Sequence, residues 1–234
     1  MRTRGRKLGL GSSAAAVVAA LGARRLADSP GSALDAALQA TICQLAYEAH
    51  KKAQGGGSGV DVVAAAFGGL RVCVAQPDGP PRHEELSLSG ALQIEVWACP
   101  DSASTAALLG PVRALRRDDP TRYEGLVAAA IEGAGLCAGG GGAMSFLEGA
   151  RLQREAMVEL GDAVGAPILP RYLRELHKLT TPHAVVMQAG AGGGDVALHL
   201  GLGPSTLGFR NEAEKRGLWR LDLSLGARGL HTRV

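Results

Sequence analysis

The sequence predicts an α+β fold, and three observations carry that prediction. Apolar residues recur at helical spacing through much of the chain, as at Leu34, Leu38, Ile42, Leu45 and Ala46. Strand-like runs are few, and two of them, 183–188 and 196–200, are separated only by a glycine-rich turn, which makes a hairpin rather than a βαβ crossover. The 234 residues, 46% hydrophobic and 20% charged, can bury a real core in one large or two small domains.

The elements follow in order. Residues 14–27 read as a helix of small apolar residues, broken by Asp28-Ser29-Pro30-Gly31. A second helix covers 32–50, a glycine-rich loop 54–59, and a short apolar helix 60–67, stopped by Gly68-Gly69. Strands are expected at 70–75 and 92–98. Asp101 to Ser104 can cap a helix through 117, and further helices are expected at 122–136, 145–165 and 168–179. The hairpin, a helix at 210–216 and a strand at 218–224 complete the chain. The boundary between two lobes is expected at 98/99, giving domains 1–98 and 99–234.

Composition narrows the function. The net charge of +3 comes from scattered basic residues, not the concentrated stripe of a nucleic-acid binder. No apolar run is long enough for a membrane span. Cys43, Cys73, Cys99 and Cys137 match no metal or redox spacing and read as buried reduced thiols of a cytoplasmic protein. The opening run KLGLGSSAAAVVAALGA has the basic start and small-residue exit of an export signal, but its glycines and serines suit a phosphate-binding turn better.

That turn, Leu8 to Ser13, is the first of three glycine-rich loops. Glycines admit a phosphate close to the backbone, and a helix starting at Ser12 or Ser13 adds its positive end. It lacks the Gly-Lys-Ser/Thr ending of a Walker loop. It also lacks a third glycine and room for a preceding strand, which a dinucleotide fingerprint needs. The second loop, GGGSGVD at 55–61, ends on Asp61, which reads either as a helix cap or as a carboxylate beside a transferred phosphoryl group. The third, GAGGGD at 190–195, holds more glycine than a hairpin requires, which signals a close backbone approach.

Together and in this order, the three loops resemble those of the GHMP kinase family. GLGSSAA at 9–15 resembles its phosphate-binding motif, SGVD at 58–61 with FGG at 67–69 its catalytic-Asp region, and GAGGGD at 190–195 its third motif. Within the family, RKLGLGSSAA, AHKKAQGGGSGVDVVAAAFGG, SASTAALL and GAGGGDVAL are most similar to the phosphomevalonate kinase branch; His50 stands where mevalonate kinases usually carry a magnesium-holding Glu. The resemblance implies a two-lobe α+β fold, an S5-like nucleotide lobe plus a ferredoxin-like C-terminal lobe. It implies ATP and Mg2+, with Gly9, Leu10, Gly11, Ser12, Ser13 and Ala14 at the triphosphate, Ser13 at the metal, and Gly192 and Gly193 in the third loop. Asp61 and Lys7 take the catalytic roles. His50, Ser58, Gly59, Ser104, Thr105, Gly194 and Asp195 fall on the substrate side, and Lys51, Lys52 or Arg71 could face an acceptor phosphate. The implied acceptor is mevalonate 5-phosphate, with mevalonate itself, another small molecule, or an inactive binding module as alternatives and a homodimer left open. Gln188 and Ala189 depart from the Lys or Pro and the Ser usual in this branch. The family's first motif, a Pro-Gly run followed by Gly-Glu, is expected upstream and is absent from these residues. The nucleotide lobe is therefore expected to be incomplete, with apolar surface exposed on 14–27 and 60–67.

Overall fold

The computed structural model describes residues 2–3, 6–29, 33–101 and 105–232, and only the backbone of 2–3, 6–7 and 105–106. In chain order the elements are β1 (Arg2–Thr3), β2 (Arg6–Lys7), α1 (Ser12–Asp28), α2 (Ala36–Gln54), α3 (Val60–Phe67), β3 (Arg71–Val74), β4 (Arg82–Glu85) and β5 (Gln93–Ala98). Then come α4 (Thr105–Asp118), α5 (Pro120–Ala138), α6 (Gly142–Val164), α7 (Arg171–His177), β6 (Ala184–Gln188), β7 (Val196–Gly201), α8 (Leu207–Lys215) and β8 (Trp219–Leu221). The α+β class is as expected. Two-residue strands do precede the first glycine loop, where the sequence left no room for one, and β1 pairs antiparallel with β2.

The chain forms two compact units, Gly9–Ser87 with Ser224–Val234, and Arg2–Leu8 with Leu88–Leu223. This corrects the boundary expected at 98/99. Strand β5 pairs with β7 and β8, so it belongs to the sheet of the second unit, and the chain end returns to the first.

In the first unit, α1, α2 and α3 pack through Ala14, Val18, Ile42, Ala46, Tyr47, Val62 and Ala66. Helix α2 starts later than its apolar pattern suggests because the Asp35 carboxylate accepts the Leu38 N–H at 2.8 Å, fixing the cap there. Strand β4 escapes sequence reading because Arg82-His83-Glu84-Glu85 has no apolar alternation. It pairs antiparallel with β3, Arg71 opposite Glu85. The terminal segment clasps the three helices: Leu230 donates its N–H to Ala66 O at 3.0 Å and accepts from Gln39 Nε2 at 3.1 Å. The exposed side of α1 carries alanines 15, 16, 19, 20 and 23, and that of α3 carries Val60 and Ala64, so the outward apolar surface is largely alanine.

The second unit is a four-stranded antiparallel sheet in the order β6-β7-β5-β8, the 4-1-3-2 arrangement of a ferredoxin-like lobe. One face packs Trp97, Val186 and Ala197 against Leu173 and Leu176 of α7 and Phe209 of α8. The other packs Val185 and Leu200 against Leu147 and Ala150 of α6. Helix α8 begins at Leu207 because the Thr206 hydroxyl accepts the Phe209 N–H at 3.0 Å. Helices α5 and α6 touch backbone to backbone: a Cβ on Gly149 would strike the carbonyl oxygen of Gly133, and one on Gly133 would lie 2.5 Å from that of Gly149.

All four cysteines are free thiols. Burial pushes Cys43 up to about 11 and also raises Cys73 and Cys137, which keeps these sulfurs protonated and unreactive at neutral pH. Among the described residues no helix is long and apolar enough to cross a membrane.

Two predictions follow from this packing. Gly149→Ala should lower unfolding stability by about 1–3 kcal/mol through overpacking. Gly125→Ala on α5, where a Cβ meets nothing, should raise it by about 0.5–1 kcal/mol through helix propensity. Denaturant midpoints read both, and equal effects would refute the close contact. The second concerns His177, whose Nδ1 accepts the Val186 N–H at 3.4 Å. Burial first, then the charges of Arg154 and Arg151, push its pKa down from 6.5 to about 4. The folded state therefore binds this proton less readily than the unfolded chain. The stability it contributes is complete above about pH 6.5 and is lost as pH falls toward 4. Between pH 7 and 4.5 the protein should lose about 2 kcal/mol more than His177→Gln, allowing for the ring's partial exposure.

Candidate functional site

The first glycine loop leads into α1 through Gly11, which caps the helix in the left-handed region (φ 70°) and offers no side chain to it. The first bond to close the helix runs from Ala15 N–H to Gly11 O at 3.0 Å. The N–H groups before it, on Ser12, Ser13 and Ala14, carry no intrahelical partner and point out of the positive end of a 17-residue helix. Leu10 and Ser13 are exposed and Ser12 half-buried, whereas the Ala14 methyl is buried in the helix core and leaves only its backbone for a ligand.

Asp61 lies beside this turn. A Cβ placed on Gly11 would stand 3.3 Å from the Asp61 Cβ, so the phosphate-type loop and the carboxylate share one patch. Gly59, not Asp61, is the cap of α3; Asp61 is the second residue of the helix, and its Oδ1 accepts the Val62 N–H at 3.0 Å. Its side chain is 35% exposed. Behind it, in the last turn of α2, His50 is buried, with Nε2 at 3.7 Å from Asp61 Oδ2 and 2.9 Å from Gln54 Nε2. Ser58 is exposed, and Gly59 is buried over the Tyr47 ring, where a Cβ would come within 2.5 Å of the ring carbons.

Sequence reading missed Gln54 and Tyr47. The signal was helical spacing: Gln54 is four residues from His50, and Tyr47 is four residues from Lys51, whose Nζ lies 5.3 Å from the Tyr47 ring centroid. Lys7 lies on β2 and Thr105 opens α4, but their side chains, and the whole of Ser104, lie outside the described residues.

The third loop belongs to the second unit. Gly193 N–H donates to Ile168 O at 2.9 Å, and Asp195 N–H donates to Asp101 O at 3.1 Å. A Cβ on Gly192 (φ 94°) would run into Ile168 O, and one on Gly194 would sit 3.0 Å from Asp101 O. The close approach that its glycines signalled is made to the lobe's own backbone.

Residues 5–69 match the model of the GHMP kinases N terminal domain. Among solved structures the chain is similar to the Lin0012 protein from Listeria innocua (22% identity, TM-score 0.77, covering 94% of this chain and 68% of that one). It is also similar to Streptococcus pneumoniae phosphomevalonate kinase in complex with phosphomevalonate and AMPPNP (19%, 0.68, 94% and 71%). L. major mevalonate kinase in complex with R-mevalonate is a third (19%, 0.63, 92% and 66%). At these identities the likeness establishes the fold, and the chain spans about two thirds of the length of each of these proteins. No curated protein matches the sequence.

If the third loop's glycines serve contacts within their own lobe, Gly192→Ala should cost about 3 kcal/mol by overpacking and left-handed strain. Thermal unfolding read by circular dichroism checks this. An unchanged transition would mean that the loop is glycine-rich for some other reason.

Proposed function

We infer, from residues 5–69 matching the model of the GHMP kinases N terminal domain and from a fold like that of solved mevalonate and phosphomevalonate kinases, that this protein transfers the γ-phosphoryl group of ATP to a small-molecule acceptor, and that the acceptor is mevalonate 5-phosphate. The observation that carries the reading is the closeness of Gly11 to Asp61, which sets open backbone donors beside a part-exposed carboxylate. The choice of acceptor rests on the branch motifs and on His50, which stands where mevalonate kinases usually have Glu.

On this reading Gly9 to Ala14 receive the triphosphate through backbone N–H groups, and the α1 dipole favours its charge. The Ser13 hydroxyl, exposed at the turn, is a hard oxygen of the kind Mg2+ takes alongside phosphate. Bound there, the ion would neutralise charge on the transferring phosphates. In the transfer, an oxygen of the acceptor phosphate bonds to the γ-phosphorus. The bond from that phosphorus to the β,γ-bridging oxygen breaks, and its electron pair leaves on ADP. Asp61, held by its own helix turn and backed by His50, orients the acceptor end; no proton need leave an acceptor that is already a phosphate dianion. Most of the catalytic effect comes from alignment and charge stabilisation.

The test is release of ADP by the full chain. It should be driven by mevalonate 5-phosphate, with mevalonate a far poorer acceptor. Asp61→Asn should lower kcat by about 10³-fold or more while nucleotide affinity stays within about twofold. Turnover that survives this change would remove Asp61 from the mechanism.

A further inference from the structure

The reading above leaves an electrostatic problem in the first unit. An acceptor phosphate that approaches Asp61 brings two negative charges toward a carboxylate, and Asp61's nearest basic neighbour, His50, is buried behind it. A cation is needed on the solvent side of the pair. Three candidates come from the sequence, and the structure separates them.

Arg71 is committed elsewhere. Its Nε donates to Gly68 O at 2.9 Å, Nη2 donates to Phe67 O at 3.4 Å, Nη1 meets His83 Nδ1 at 3.3 Å, and the guanidinium lies over the Phe67 ring. These contacts fix it at the C-terminal end of α3, about 10 Å along the helix from Asp61. Lys52 lies about 200° around α2 from His50, on the side turned away from Asp61. Lys51 differs from both. Its carbonyl accepts the Gly55 and Gly56 N–H groups, so the glycine loop pins its backbone. Its ammonium rides over the Tyr47 ring, and that ring is the floor under Gly59, two residues before Asp61. Among the described residues it forms no ion pair, so its charge is available to a ligand.

We propose that Lys51, steered by Tyr47, is the specificity-determining cation that selects a phosphorylated acceptor over the corresponding neutral alcohol. The proposal rests on the phosphotransfer reading and deepens it. The cation–π contact holds the ammonium over the ring that underlies Gly59, at the loop leading to Asp61, without neutralising it as a carboxylate partner would. A phosphate oxygen arriving there gains a charge-assisted hydrogen bond that a neutral hydroxyl does not. The Tyr47 ring also shortens the list of places a flexible lysine can go.

The experiment is steady-state kinetics on the full chain with mevalonate 5-phosphate and with mevalonate, comparing wild type, Lys51→Met, Lys51→Arg and Lys52→Met. Lys51→Met is expected to lower kcat/KM for mevalonate 5-phosphate by about 30- to 100-fold, mainly through KM, as the loss of one charged hydrogen bond predicts. Its effect on mevalonate and on the KM for ATP should stay below about threefold, so that discrimination between acceptors collapses. Lys51→Arg should restore most of the loss, and Lys52→Met should leave discrimination intact. Wild-type turnover of mevalonate 5-phosphate that Lys51→Met leaves unchanged would overturn the role of Lys51 and leave the phosphotransfer reading standing. A wild type that ignores mevalonate 5-phosphate would overturn both.

Discussion

The candidate site depends on the near-contact between the turn at Gly11 and the side chain of Asp61. The turn must be tight enough to leave the first amides of α1 open, and it must pass so close to a residue on another helix that a Cβ at position 11 would crowd it. A side chain on residue 11 would meet both demands badly, since it would sit in the left-handed region and press on the Asp61 Cβ. Everything around the pair maintains this spacing. Helices α1, α2 and α3 share one core, so that Ala14 and Val62, one residue or so from the functional positions, are buried together. The returning chain end adds Leu230 against Gly22 and Ala66, closing the bundle at the far end from the turn.

The same device recurs where backbone must meet a neighbour closely. Gly59 lies on the Tyr47 ring, Gly133 on Gly149, and Gly192 on Ile168. A chain with 34 glycines and few aromatics has traded side-chain volume for short distances between elements. Core density then depends on backbone placement, because small residues leave no flexible side chain to fill a gap. In the second unit this explains why a motif with three consecutive glycines can be structural: its amides hold Ile168 and Asp101 and its missing side chains admit those carbonyls.

Much of this was legible in the sequence, and the exceptions have physical causes. Apolar patterning, caps and breakers located the helices described in both units, and the loop motifs pointed to the turn and to Asp61. The ends were displaced where a polar side chain decided them, as at Asp35 and Thr206. Strand β4 stayed hidden because both of its faces are polar, so no alternation marks it. The division between units was misplaced because sheet membership is a long-range fact: nothing near Gln93–Ala98 reveals that its partners lie a hundred residues on. Asp61 could be found by motif, but not its support. His50 and Gln54 touch across one helical turn, which spacing allows but does not require. Tyr47 is under Gly59 only because α2 and the following loop fold back on each other.

Partial exposure of Asp61 makes the arrangement chemically workable. Two unit charges 4 Å apart interact by about 1 kcal/mol in water and about 4 kcal/mol at the dielectric typical of a protein surface. A fully buried carboxylate facing a dianion would therefore repel it by several kcal/mol, and a buried lysine would incur a desolvation cost of similar size. At 35% exposure the carboxylate keeps part of its hydration, and an ammonium resting on an aromatic face loses less hydration than one locked in an ion pair. On the proposed reading both charges are held near the acceptor but remain free to exchange water for phosphate oxygens when a ligand arrives. A neutral acceptor offers no such exchange, and on the proposed phosphotransfer reading the preference follows from charge before any shape of the acceptor is considered.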